Sequence, residues 1–149
     1  MLGNPLTFAQ WSTMSEAMQP KRETFRVAVK DHVMIAHSLN GAVFGPAQRM
    51  HGATYEVITE YAADRLDENG IVLDIGLATE TLQQVLGPLR FTNLDELPQF
   101  TGKNTTTEFL AKWVHGQLSS ALAGQFSGQL RVTLEESRVA WASYESEVL

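Results

Sequence analysis

The chain has 149 residues, 44% of them hydrophobic, enough to bury one core and too few for two ordinary domains. Its formal net charge is −6, and its basic residues do not cluster beyond Lys21-Arg22, so nothing offers the positive stripe that a nucleic-acid backbone requires. There is no cysteine, hence no disulfide framework and no thiolate chemistry, and neither an apolar run of about 18 residues nor a basic-then-apolar N-terminus. A cytoplasmic protein without membrane or nucleic-acid partners is the expectation.

Residues 1–22, with Gly3, Pro5, Pro20 and no sustained period, read as a loose or docking N-terminal arm ahead of one domain over 23–149. From Thr24, the alternation of Phe25, Val27 and Val29, then Val33, Ile35 and His37, predicts a long strand with a bulge near Lys30-Asp31. Asn40 to Arg49 carries Gly41, Gly45 and Pro46 and reads as a loop. Ala53 to Ala62 predicts a second strand with Tyr55, Val57 and Thr59 on one face and Glu56, Ile58 and Glu60 on the other. Asp64 to Gly70 is a polar turn, after which Ile71-Val72-Leu73-Asp74 restarts extended structure.

Two helices follow. Leu77 or Ala78, then Leu82, Val85, Leu86 and Leu89, recur at helical spacing up to Gly87-Pro88. Thr105 with Glu108 three residues on is a capping-box signature, and Phe109, Leu110, Trp113, Val114, Leu118 and Leu122 form an apolar stripe ending before Gly124, with His115 on its polar side. Gln129 to Arg138 and Val139 to Glu145 close the chain as two strands. The order ββααββ argues an α+β domain, a four-stranded antiparallel sheet with two helices on one face.

Four short runs, Ala36-His37-Ser38-Leu39, His51-Gly52-Ala53-Thr54-Tyr55, Thr106-Thr107-Glu108 and Glu135-Glu136-Ser137, stand in order on strand, strand, helix and strand. Together they resemble the landmarks of the 6-pyruvoyl- and 6-carboxytetrahydropterin synthase family, over about residues 24 to 145. The resemblance implies the tunnelling fold, with sheet edges paired between subunits into a barrel. It therefore implies a homo-oligomer built from trimers, a hexamer, with pockets at subunit interfaces.

In that family a strand-borne His and a His-x-His pair bind zinc; residues i and i+2 of a strand share a face, so both rings of the pair converge on one ion. Here the resemblance assigns His37 and His51 as metal ligands, and Ala53 stands where the third belongs. Glu56, or a ligand from a neighbouring subunit, is the candidate substitute; the alternative is that His37 and His51 are satisfied polar residues in a pocket. His32, five residues before His37, falls on the other strand face unless a bulge intervenes. Ala47 occupies the cysteine position of the carboxy-forming branch, and Arg90 and Phe91 stand where the family has its acid and imidazole, with Asp95 or Glu96 as the candidate to take over the carboxylate's role, which spacing does not support.

The pterin-holding positions are kept. A pterin offers its 2-amino group and a ring N–H as adjacent donors, which one carboxylate accepts in bidentate fashion. The resemblance assigns that role to Glu136, with Thr106, Thr107 and Glu108 holding the ring; Glu136 as a surface acid beside Arg131 or Arg138, and Glu108 as a helix cap, are the plainer readings. Asp74 matches an acidic position of the family or caps the first helix. Arg49 and Arg90 are candidate binders of a substrate anion, or surface residues. Two functions are consistent with this pattern: a diverged lyase acting on a dihydropterin such as dihydroneopterin triphosphate, or a pterin-binding or scaffolding homologue without the zinc-dependent lyase step.

Overall fold

The computed structural model describes Pro5, Thr7–Gln10 and residues 23–149, so most of the expected arm over 1–22 lies outside the described residues. Two long strands dominate. β1 (Phe25–His37) and β2 (His51–Ala63) pair antiparallel over their full length, from Phe25 opposite Ala63 to His37 opposite His51. The bulge expected at Lys30-Asp31 is absent: Lys30 faces Ile58 and Asp31 faces Val57 in unbroken register. Asp31 keeps the inward parity of Val29 and Val33, and what makes a carboxylate tolerable there is an ion pair with Arg90, which also donates to the His32 carbonyl at 2.5 Å. A paired, hydrogen-bonded charge avoids most of the cost of burial.

α1 (Ile75–Leu86) follows, capped by Asp74, whose carboxylate accepts from the Leu77 N–H at 2.8 Å. The extended structure expected over Ile71–Asp74 does not form a strand; those residues lead into the cap instead. A two-residue strand, β3 (Thr92–Asn93), then pairs parallel to β1 at Ile35 and Ala36. α2 (Thr107–Ala121), β4 (Gly128–Ser137) and β5 (Ala140–Val148) complete the domain. The sheet is thus five-stranded and mixed, in the order β3-β1-β2-β4-β5, rather than four-stranded and antiparallel. Two residues carry no readable periodicity, which is why β3 escapes a pattern-based reading.

Both helices cover one face. Tyr55, Val57, Tyr61, Leu130, Val132 and Leu134 of the sheet meet Leu82, Leu86, Leu110, Val114, Leu118 and Leu122 of the helices in one core. Each of the leucines and valines contributes about 1.5–3 kcal/mol when fully buried. The opposite face is polar: Arg26 reaches Glu60, Glu60 reaches Arg131, and Arg131 reaches Glu145 at 2.7 Å, a ladder across all four long strands. Gly128 is obligatory, since at φ 153° its Cα backs onto β2 and a Cβ would sit 2.3 Å from the Ala62 carbonyl oxygen. Among the described residues, no helix is long and apolar enough to cross a membrane.

Candidate functional site

The end of β1 and the start of β2 bring His37 and His51 opposite each other, with ring centroids 4.6 Å apart and planes at 57°. His37 is 2% exposed, and its Nδ1 lies 2.9 Å from the Thr105 hydroxyl, itself 1% exposed. Burial, reinforced by the facing His51 ring, pushes His37 below the ordinary imidazole pKa, against smaller opposing pulls from Thr105, Asp95 and Glu136. His51 is half-buried, and its Nδ1–H donates to the Arg49 carbonyl at 2.8 Å.

Three polar clamps hold this end together. The Asn104 side chain accepts from the Asn40 N–H at 2.8 Å and donates to the Asn40 carbonyl at 2.9 Å, so the loop after β1 and the approach to α2 are locked reciprocally. Asp95 accepts from the Ser38 N–H at 3.0 and 3.2 Å and from its hydroxyl at 2.6 Å. Thr106 caps α2, its hydroxyl accepting from the Phe109 N–H at 3.2 Å. The cap is therefore one residue later than the Thr105/Glu108 pattern implies, and that shift frees Thr105 for His37.

Thr107 donates to Glu136 Oε2 at 3.1 Å. Tyr55, 1% exposed, shares this corner: burial raises its phenol pKa, the Thr107 hydroxyl opposes that, and Glu136 and Glu108 add to the rise, so the phenol stays a proton donor. Because Thr105 touches His37 and Thr107 touches Glu136, the two anchoring residues are at most about 7 Å of extended chain apart. The imidazole pair and the carboxylate therefore lie at the same end of the sheet, close enough for Glu136 to act electrostatically on His37. The structure brings together His37, His51, Thr107 and Glu136 of the residues singled out by sequence. Thr106 serves as helix cap, and Glu108 is exposed in the first turn of α2. Thr105, Tyr55 and Asn104 are the contributors that sequence reasoning did not place there, while Asp95, offered as a substitute carboxylate, holds Ser38; three consecutive threonines offer three candidate caps, and only the fold selects among them.

Other candidates lie elsewhere. Glu56 projects from the opposite sheet face and receives Lys30 Nζ at 2.8 Å, so it cannot complete a metal site at His37 and His51. His32, exposed on that same face, is also excluded. Arg90 is consumed by Asp31 and the His32 carbonyl. His115 is 5% exposed rather than solvated; Ser119 and Ser146 hydroxyls lie 3.3 and 3.2 Å from its ring nitrogens, and Tyr144 meets it edge-on at 4.9 Å. A cleft of about 820 Å³, lined by residues including Arg65, Leu66, Phe126 and Glu147, opens at the far end of the sheet and shares no residue with the histidine site.

A catalytic zinc ordinarily takes three protein ligands and keeps one position open. Here two imidazoles are present, the strand position that would supply the third is Ala53, and among the described residues no group of three His, Cys, Asp or Glu side chains could hold a metal. The residues present do not fit a three-ligand zinc centre.

The fold is shared with solved structures of low sequence identity. 6-Pyruvoyl tetrahydropterin synthase from Caenorhabditis elegans is 20% identical, covering 86% of this chain and 99% of its own, with a TM-score of 0.74. The enzyme of the same name from Plasmodium vivax is 16% identical, covering 85% and 99%, with a TM-score of 0.71. An uncharacterized protein from Wolinella succinogenes, 16% identical, covers 82% and 98% with a TM-score of 0.61. None of the curated proteins compared with the chain is similar enough to count as a relative. The sequence profile of 6-pyruvoyl tetrahydropterin synthase matches residues 26–147, which takes in both helices and all but the outermost residue at each end of the sheet, and the chain therefore belongs to the 6-pyruvoyl tetrahydropterin synthase family.

Proposed function

We propose that this chain binds a dihydropterin, of the dihydroneopterin triphosphate type, at the Glu136 end of the site and acts on its side chain at the His37–His51 end. The observation that carries the reading is the Thr107–Glu136 hydrogen bond. It engages one lone pair of one carboxylate oxygen and restrains the group's rotation, leaving the other lone pairs for a pterin's 2-amino and ring N–H donors. Preorganisation of this kind reduces what binding must spend on ordering. Supporting it are membership of a family named for a pterin reaction and the position of Tyr55, a protonated phenol beside the same carboxylate.

The test is a fluorescence titration of a dihydropterin against the native protein and Glu136→Ala. Each charge-assisted hydrogen bond is worth about 1.5–3 kcal/mol, so loss of two should weaken binding by at least about a hundredfold. Equal affinity of the two proteins would end the pterin reading altogether.

A second reading, binding or scaffolding without turnover, is favoured by Ala47, Arg90 and Phe91 at positions where the family resemblance places catalytic groups, with Arg90 already committed to Asp31. Product formation from a bound dihydropterin distinguishes the two. In either reading the family resemblance implies assembly with its own copies into a trimer-based ring, a hexamer; it is supported by the sheet edges, since among the described residues β5 pairs only with β4 and β3 covers only Ile35 and Ala36 of β1.

A further inference from the structure

We infer that the His37–His51 pair works in this chain without a metal, as an imidazole pair whose free proton acceptor is Nε2 of His51. The inference rests on the reading of this end of the sheet as the reaction site.

Ala53 follows His51 by two residues on the same face of β2 and pairs with Ile35, as His51 pairs with His37. The four positions form a rectangle on the sheet: two corners carry imidazoles, and the other two carry a methyl group and an apolar side chain. Asp95 is already held by the Ser38 N–H and hydroxyl. Glu136 keeps free lone pairs beside its bond from Thr107, yet among the described residues neither carboxylate forms with the two imidazoles a group of three that could hold a metal.

What the pair retains is orientation. A carbonyl oxygen can only accept, so the 2.8 Å contact to Arg49 requires the proton of a neutral His51 ring to sit on Nδ1. That leaves the lone pair on Nε2. His37 is fixed at Nδ1 by Thr105, and its buried ring stands against His51 at 4.6 Å. A base held in one tautomer by a backbone carbonyl is suited to general base catalysis. The step balances simply: His51 Nε2 takes the proton of an acidic O–H or C–H of the bound ligand, the electron pair of that bond stays on the ligand, and the new imidazolium keeps its Nδ1–H on the Arg49 carbonyl. The proton returns to the ligand later in the same turnover.

The experiment is zinc stoichiometry by elemental mass spectrometry on the full-length native protein, beside Ala53→His, both dialysed against excess zinc and then against buffer. The native protein should retain less than about a tenth of a zinc per chain, and A53H, one donor richer, about one. Native protein that retains about one zinc, lost in His37→Ala, overturns the inference. So does a folded A53H that retains none, because Ala53 would then not be what separates the site from a metal centre. If A53H fails to fold, long-range 1H–15N correlation of the native protein's imidazoles decides. A protonated Nδ1 and bare Nε2 on His51, unmoved by added zinc, support the pair; zinc-induced shifts of both rings refute it. Loss of the pterin reading shows instead in the Glu136→Ala titration and leaves these readouts unchanged.

Discussion

Thr105→Val tests the centre of the site with little change of shape. Valine replaces the hydroxyl by a methyl group, so no cavity opens at a residue that is 1% exposed. What is lost is the 2.9 Å bond to His37 Nδ1, and His37 is itself 2% exposed, so water cannot replace it. A buried ring nitrogen left without a partner costs about 1–3 kcal/mol. In a chain of this size that lowers the melting temperature by about 2–12 °C. Thermal unfolding followed by circular dichroism measures the loss, but removing the true helix cap would cost about 0.5–2 kcal/mol, an overlapping range. The discriminating readout is the His37 ring by NMR: its resonances should move in Thr105→Val, return with Thr105→Ser, and stay in place in Thr106→Val. If Thr105→Val leaves both the His37 ring and the stability unchanged, within about 0.5 kcal/mol, Thr105 is not its partner and the argument that the cap is displaced to Thr106 fails.

Two further outcomes are expected. Burial depresses the pKa of both His115 and His37, so at acid pH the unfolded chain binds more protons than the folded one. Stability should be flat above about pH 6.5 and fall below it by up to about 1.4 kcal/mol per pH unit for each histidine, levelling once the folded rings also protonate. Melting temperatures between pH 8 and 5 measure this, and a slope that His115→Gln does not reduce would refute its share. Light scattering of the purified protein should return three or six times the 16.5 kDa chain mass, whereas a monomer would sink the edge-pairing proposal.

The parts of the fold legible in the sequence are those with a period. β1 and β2 alternate strictly enough that inward and outward residues are readable, and α2 shows its stripe. Where a polar residue interrupts the period, the pattern misleads. Asp31 looks like the site of a bulge because nothing in the local sequence reveals that Arg90, 59 residues on, neutralises it. His115 looks solvated, although it shares a stripe with Ala111, Leu118 and Leu122. It is buried because two serines satisfy its ring nitrogens, one of them from β5. The candidate site was legible as residue types in order, yet its connections run between residues about 30 to 70 positions apart, as from His37 to Thr105 and from Thr107 to Glu136. Such pairings depend on topology, which one sequence constrains only loosely.

The departures from the family pattern differ in how far they are built into this structure. Ala53 makes no polar contact, and its methyl group only packs against the edge of the core, so a histidine there restores a donor at the cost of local repacking. Arg90 is different. Its guanidinium neutralises Asp31 on the helix-covered face of the sheet, with the two side chains 28% and 18% exposed, and it donates to the His32 carbonyl as well. An acid at position 90 would set two carboxylates against each other in a half-buried place, and like charges at such range each oppose the other's ionisation. The segment leaving α1 is therefore held by an ion pair that excludes the acid of the family pattern. Phe91 directly after it adopts φ 56°, with its N–H bonded to the Met34 carbonyl at 2.7 Å and its ring 83% exposed. Restoring an acid-imidazole relay would require replacing Asp31 too, whereas the metal site lies one residue away. On the proposed reading, the proton chemistry of this site is for that reason more firmly altered than its metal chemistry, and the general base we infer within the histidine pair is the arrangement consistent with the remaining side chains.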